Sequence, residues 1–193
     1  MNTRKNRINT KQLTYLAILT AIVFLLQFIS LYMRFTVFSV TFVLIPIVIG
    51  VAVCGKWAGV WLGFVFALAV FATQDANLFL GFSVPGTIFV VFLKGILAGL
   101  ACGLIYSLFE KKNRYVAIVL AAIVAPIVNS GIFFLGCILF FFDDISIYFE
   151  LSSAAVPSFV LLTLIGINFI VEFVINIVLS PSICRIIDIT KKH

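Results

Sequence analysis

The chain has 193 residues, of which 64% are hydrophobic and only 10% charged, and its mean hydropathy is +1.28. Soluble domains are about half apolar and a quarter charged, so this composition excludes a soluble protein and predicts one integral membrane domain over residues 1–193. The net charge of +6 lies mostly in short loops and termini, which argues against a nucleic-acid partner.

Six apolar segments follow a short basic N-terminus, residues 1–11. About 20 apolar residues span a bilayer core of roughly 30 Å, so the segments predict an all-α protein with six transmembrane helices. The first helix is expected to be retained, because no small-residue cleavage pattern follows it. The second and third segments are short, and Gly55-Lys56 between them predicts a hairpin or a bent pair. If the two segments merged, five spans would result, but the merged run would far exceed one bilayer crossing. The segments are 13–31, 40–54, 57–73, 85–109, 115–142 and 156–187.

The distribution of charge predicts that both termini lie in the cytoplasm, because Lys and Arg are enriched in cytoplasmic loops. With six spans, Arg34 is the one basic residue outside and Lys94 lies in the membrane. The acidic residues predicted outside are Asp75, Asp143, Asp144 and Glu150. The basic residues predicted inside are Arg4, Lys5, Arg7, Lys11, Lys56, Lys111, Lys112, Arg114, Arg185, Lys191 and Lys192.

Lys94 is a charge near mid-membrane, about 13 Å along the helix from Pro85. A charge there costs at least about 2.5–3.5 kcal/mol, so it normally faces a protein interior or a wet cavity and has a partner. The side chain either binds an anionic ligand, snorkels to the interface, or is neutralised by an internal carboxylate.

Two further helices carry polar groups at a comparable depth. Asn129 lies about 21 Å from Tyr115 and either repairs the helix at Pro126 or faces Lys94. In the last segment Asn168, Glu172 and Asn176 share one face, because their spacing is four residues. Glu172 is either a counter-ion of Lys94 or a support for a site in which Lys94 and Asn168 contact a ligand.

Ala17 and Ala21 lie on one face of the first helix, where small residues permit close approach of another helix. Four motifs, of which this segment is the first, together make the chain resemble the substrate-binding S component of an energy-coupling factor (ECF) vitamin transporter. The resemblance covers about residues 11–188. The motifs are LTYLAILTAIVFLLQF, FVLIPIVIGVAVCGKWAGVWLGF, APIVNSGIFFLG and NFIVEFVINIVLSPSICRII.

The resemblance implies a multi-pass protein of the cell membrane that binds a vitamin at the extracellular side. It also implies docking through an AxxxA motif, here Ala17 and Ala21, onto a transmembrane coupling subunit driven by two cytoplasmic ATPases. The similar branch includes binders of pantothenate, riboflavin, folate and pyridoxine or hydroxymethylpyrimidine. A Lys94 site fits a carboxylate, which makes pantothenate the first choice.

Two outer loops supply further candidate ligand contacts. The resemblance implies that the loop Leu31–Phe38, with Arg34, caps the ligand, although aromatic and Arg side chains also anchor loops at the headgroup level. In the loop before the Lys94 helix, Asn77 is the candidate at the cavity mouth, whereas Asp75 fits a solvated turn. The cavity is expected in the outer half of the last three helices.

An enzyme is not expected. The only His is His193, no HExxH motif occurs, and no GxxxxGK[ST] run is present for ATP hydrolysis. The four cysteines are widely spaced, so no metal or cofactor site is predicted. A structural membrane protein without a ligand remains an alternative, in which the polar groups form an internal network.

Overall fold

The fold is entirely helical in the part of the chain that a computed structural model describes, residues 10–32 and 41–192. Side chains are described for these residues except 186 and 188–192. The predicted ligand residue Arg34 therefore lies outside the described residues, as does most of the loop that contains it.

Nine α-helices and one π-helical segment form the bundle over these ranges. The last three elements follow one another without a break. The helices are α1 (Thr10–Ser30), α2 (Leu44–Cys54), α3 (Lys56–Ala72), α4 (Asn77–Phe82), α5 (Val84–Phe109), α6 (Arg114–Phe140), α7 (Phe142–Tyr148), α8 (Val156–Phe159), the π-helical segment (Val160–Gly166) and α9 (Ile167–Lys192).

The membrane character of the prediction is confirmed. Four helical stretches in the described residues are long and apolar enough to cross a membrane: Thr10–Ser30, Val84–Phe109, Arg114–Phe140 and Val156–Arg185. Two apolar helices, α2 and α3, are shorter. The number of crossings and the cytoplasmic location of the termini stay predictions. The short helices α4 and α7 and the π-helical segment were not predicted, because each is too short to give a periodic signal.

Local sequence signals explain where the long helices begin. Asn113 precedes α6, and its Oδ1 accepts hydrogen bonds from the Tyr115 and Val116 amides at 2.9 and 3.2 Å. Ser83 precedes α5 and accepts from the Gly86 amide at 3.3 Å, with Pro85 in the first turn. Both residue types are favoured caps, since their oxygens satisfy amides that a helix start leaves unpaired.

Glycines bring α3 and α5 into backbone contact. A Cβ placed on Gly59 or Gly99 would collide with the carbonyl oxygen of the other residue, and the same holds for Gly63 and Gly95. Close packing of this kind is the usual role of small residues between membrane helices. Because Lys94 precedes Gly95, the contact also fixes the position of Lys94 relative to α3.

Replacing Gly99 with alanine is expected to lower the melting temperature of the purified protein. The new methyl group meets the Gly59 backbone, which cannot rotate away. Overpacking of this kind costs about 1–3 kcal/mol. Gly131→Ala is the matched control, because Gly131 lies inside α6 with nothing within 4 Å of a new Cβ. That change should leave the melting temperature equal or slightly higher. An unchanged melt for Gly99→Ala would contradict the packing.

Candidate functional site

A cavity lies between the helices near the end of the bundle that contains residues 73–83 and 141–155. It encloses about 450 Å³ of empty space, part of it open to solvent. The predicted residues Lys94, Asn129, Asn168 and Glu172 all line it. The complete lining is Thr41, Phe66, Val70, Asp75, Lys94, Asn129, Ser130, Phe133, Leu164, Ile165, Asn168 and Glu172.

The ammonium group of Lys94 lies against aromatic rings. Its Nζ is 5.0 Å from the ring centroid of Phe133 and 5.7 Å from that of Phe66. Cation–π contacts contribute about 0.5–2 kcal/mol each, whereas a charge at this depth costs about 2.5–3.5 kcal/mol or more. Asp75 and Glu172 supply further electrostatic attraction. Part of the surface of Lys94 faces the cavity.

Glu172 is bound to a backbone amide. Its Oε1 accepts a hydrogen bond from the Thr41 amide at 3.1 Å, and the residue is 4% exposed. The other oxygen, Oε2, is buried with no hydrogen-bond partner among the described residues. Among the described contacts, Lys94 lies against the Phe66 and Phe133 rings, and Glu172 accepts from the Thr41 amide. These contacts do not join Lys94 to Glu172.

The length of α2 explains why Thr41 meets Glu172. The 11 residues of α2 extend about 16 Å from Gly55, which is about half of a bilayer core of roughly 30 Å. Irregular backbone at that depth is tolerated only where it is buried in protein or lines a cavity, because its amides need partners. Thr41 lies in such backbone, and Glu172 is the partner.

The asparagines occupy different parts of the site. Asn129 is 6% exposed, lines the cavity, and has its Oδ1 unpartnered among the residues with described side chains. Asn129 therefore faces the cavity that Lys94 also lines. Asn168 also lines the cavity and is 7% exposed. Asn176 is fully buried farther along α9, and its Nδ2 donates to the Glu172 carbonyl at 2.8 Å.

Asp75 lines the cavity, whereas the sequence favoured a solvated turn for this residue. Its Oδ2 accepts a long hydrogen bond, 3.5 Å, from Nε2 of Gln27, which also contacts Thr73 Oγ1 at 3.4 Å. Gln27 belongs to α1 and is fully buried. The glutamine within an otherwise apolar helix was the sequence signal that could have pointed to a polar partner on another part of the chain, here the segment that follows α3.

Other predicted residues lie elsewhere. Asn77 is exposed at the start of α4, donates to Gln74 Oε1 at 3.3 Å, and does not line the cavity. Ala17 and Ala21 lie on the exposed face of α1, away from the cavity. The described residues contain no group of three His, Cys, Asp or Glu side chains that would suit a metal ion.

Comparison with known proteins places the chain in one family. No curated protein and no solved structure matches it significantly. The model of one protein family, described as the substrate-specific component of ECF transporters, matches residues 11–184. This match covers nearly all of the described helices, including every residue that lines the cavity. The chain therefore belongs to the family of substrate-specific components of ECF transporters.

Proposed function

We propose that the protein binds a water-soluble vitamin at the extracellular side and imports it as the S component of an ATP-driven ECF transporter. Family membership makes it a membrane-embedded, substrate-binding component that works with the other ECF subunits. The observation that carries the rest is the cavity, in which four polar side chains from three helices converge. Polar groups that converge on a concave pocket are what orients a small-molecule ligand.

Pantothenate is the proposed substrate, because it carries a carboxylate; folate also carries carboxylates and is the alternative that shares this argument. Lys94 faces the cavity, and its described contacts are rings that do not use up its hydrogen-bond donors. A ligand carboxylate would form a charge-assisted hydrogen bond with it. Riboflavin, folate and pyridoxine or hydroxymethylpyrimidine remain the alternatives.

We assign different roles to the residues of the site. Lys94, Asn129 and Asn168 contact the ligand, because all three line the cavity. Glu172 positions the backbone before α2 through the Thr41 amide and offers its second oxygen to the ligand. Arg34 is proposed to act at the entrance, as the family resemblance implies for its loop. Asn77 is proposed to act there because its loop leads into the Lys94 helix.

A titration of the purified protein against the five vitamins tests the proposal. A ligand that binds only the folded state stabilises it by about 4 kcal/mol at a concentration 1,000 times its Kd. We expect pantothenate to raise the melting temperature clearly. A rise with another vitamin instead would keep the S-component function and change the substrate. No rise with any of them would support a structural protein without a vitamin ligand.

A reporter experiment tests the orientation. A reporter fused after Lys192 is expected to read cytoplasmic, and one inserted between Asp143 and Glu150 is expected to read extracellular, because the Lys and Arg residues determine the orientation. An extracellular C-terminus would contradict the six-span arrangement and would put the cavity at the cytoplasmic side.

A further inference from the structure

Asp75 is an acidic residue of the cavity to which the proposed function gives no role. It lies between α3 and α4, is partly buried, and lines the same cavity as Lys94 and Glu172. Asp75 attracts Lys94 more strongly than Glu172 does. The cavity thus offers a ligand a second strong hydrogen-bond acceptor, from an element other than α9.

The backbone at the end of α3 determines where Asp75 lies. The Gln74 amide donates to the Phe71 carbonyl and the Asp75 amide to the Val70 carbonyl, both at 3.1 Å. Gln74 has a φ of 56°, in the left-handed region. This is the Schellman arrangement of a helix end, in which the left-handed position usually carries glycine. Because both hydrogen bonds come from the backbone, the turn does not depend on the Asp75 side chain.

A buried glutamine of α1 contacts the Asp75 side chain. Gln27 is fully buried, and its Nε2 donates long hydrogen bonds to Thr73 Oγ1 at 3.4 Å and to Asp75 Oδ2 at 3.5 Å. Its Oε1 has no partner among the residues with described side chains. A buried polar atom without a partner is costly, so an apolar residue would suit this position better if packing were its only task. The donor side of the Gln27 amide, directed at the segment with Asp75, is what the residue contributes.

We propose that Asp75 is a specificity-determining residue of the vitamin site, which accepts a hydrogen bond from a hydroxyl group of the ligand, and that Gln27 positions its carboxylate. A carboxylate has about four acceptor positions, so the contact with Gln27 leaves room for a ligand donor. Pantothenate carries hydroxyl groups at the end opposite its carboxylate. The inference rests on the proposed function, and it adds that the protein selects a ligand with both an anion for Lys94 and a donor for Asp75.

A purely electrostatic role of Asp75 would have the opposite effect. If Asp75 served only as a counter-charge to Lys94, removing that charge would leave Lys94 more available to a ligand and would also remove a repulsion. Every ligand with a carboxylate would then bind more tightly, whether or not it has hydroxyl groups. The two roles therefore differ in the sign of the change and in its dependence on the ligand hydroxyls.

The Asp75→Asn variant, titrated with two ligands, tests the proposal. One ligand is pantothenate, and the other is its dideoxy analogue, which keeps the carboxylate, amide and methyl groups but lacks the hydroxyls. We expect pantothenate affinity to fall about tenfold relative to that of the analogue, because an amide oxygen accepts a hydrogen bond more weakly than a carboxylate. Asp143→Asn is the matched control. It removes an exposed acidic group of α7 that does not line the cavity, and it should leave the ratio unchanged.

Gln27→Met tests the positioning role, because methionine is similar in length and has no donor. We expect the same ratio to fall several-fold in the wild type. In the Asp75→Asn background the change should have no further effect, since both residues act through one contact. The melting temperature should be equal or higher, because a buried oxygen without a partner is removed.

The outcomes separate this inference from the proposed function. A folded Asp75→Asn protein with an unchanged ratio, or with tighter binding of both ligands, would overturn the role of Asp75 and leave the vitamin function intact. Wild-type protein that binds none of the five vitamins would overturn both. If another vitamin binds instead, a loss of its affinity of about tenfold in Asp75→Asn, and not in Asp143→Asn, supports the role, and unchanged affinity overturns it. If Asp75→Asn does not fold, the ratio measured for Gln27→Met decides in the same way.

Discussion

Replacing Ala17 and Ala21 together with leucine is expected to abolish vitamin uptake by cells that contain the complete transporter. Both residues are exposed on α1, and their spacing of four places them on one face. Small residues let a partner helix approach closely, and two leucines hold the backbones apart. Of the four membrane-length stretches, α1 has the smallest buried share, 22%, so most of its surface is open to a partner or to lipid.

The double variant should still bind the vitamin, because neither alanine lines the cavity. Co-purification with the coupling subunit should be lost, and the melting temperature and ligand titration should match those of the wild type. Ala72→Leu is the control, since Ala72 is exposed at the end of α3. Normal uptake by the double variant would show that the docking role does not belong to these two alanines.

The long helices and four of the polar residues that line the cavity could be predicted from the sequence. Hydrophobic runs of membrane length give the helices, and the cost of a polar group in lipid turns Lys94, Asn129, Asn168 and Glu172 inward. Once they face inward at similar depths, little choice remains about which side chains meet. This is why residues from three separate helices were identified without a structure.

The loop contributions could not be predicted in the same way. Asp75 and Asn77 are two residues apart in a polar segment, and only the turn before α4 places Asp75 in the cavity and Asn77 on the surface. The Thr41 amide meets Glu172 because α2 has only 11 residues and begins at Leu44, so the backbone before it is not helical. Depth along a helix indicates which side chains can meet, but not which atoms do.

The partner of Lys94 is the question on which the choice of vitamin depends, and the Lys94→Met variant answers it. We expect this variant to keep its fold, because methionine is similar in length and makes favourable contacts with the Phe66 and Phe133 rings. Glu172 keeps its hydrogen bond from the Thr41 amide. Pantothenate affinity should fall roughly 10- to 150-fold, because the loss of a charge-assisted hydrogen bond costs about 1.5–3 kcal/mol.

The alternative, a structural pair of Lys94 and Glu172, gives the opposite result in the same measurements. Breaking a buried ion pair costs about 3–5 kcal/mol of stability, so Lys94→Met would then melt early, and adding Glu172→Gln would restore the melt. Leu93→Met is the control, because it changes a neighbouring residue that does not line the cavity. A stable Lys94→Met protein that binds pantothenate with wild-type affinity would remove Lys94 from the site, and the argument for an anionic vitamin with it.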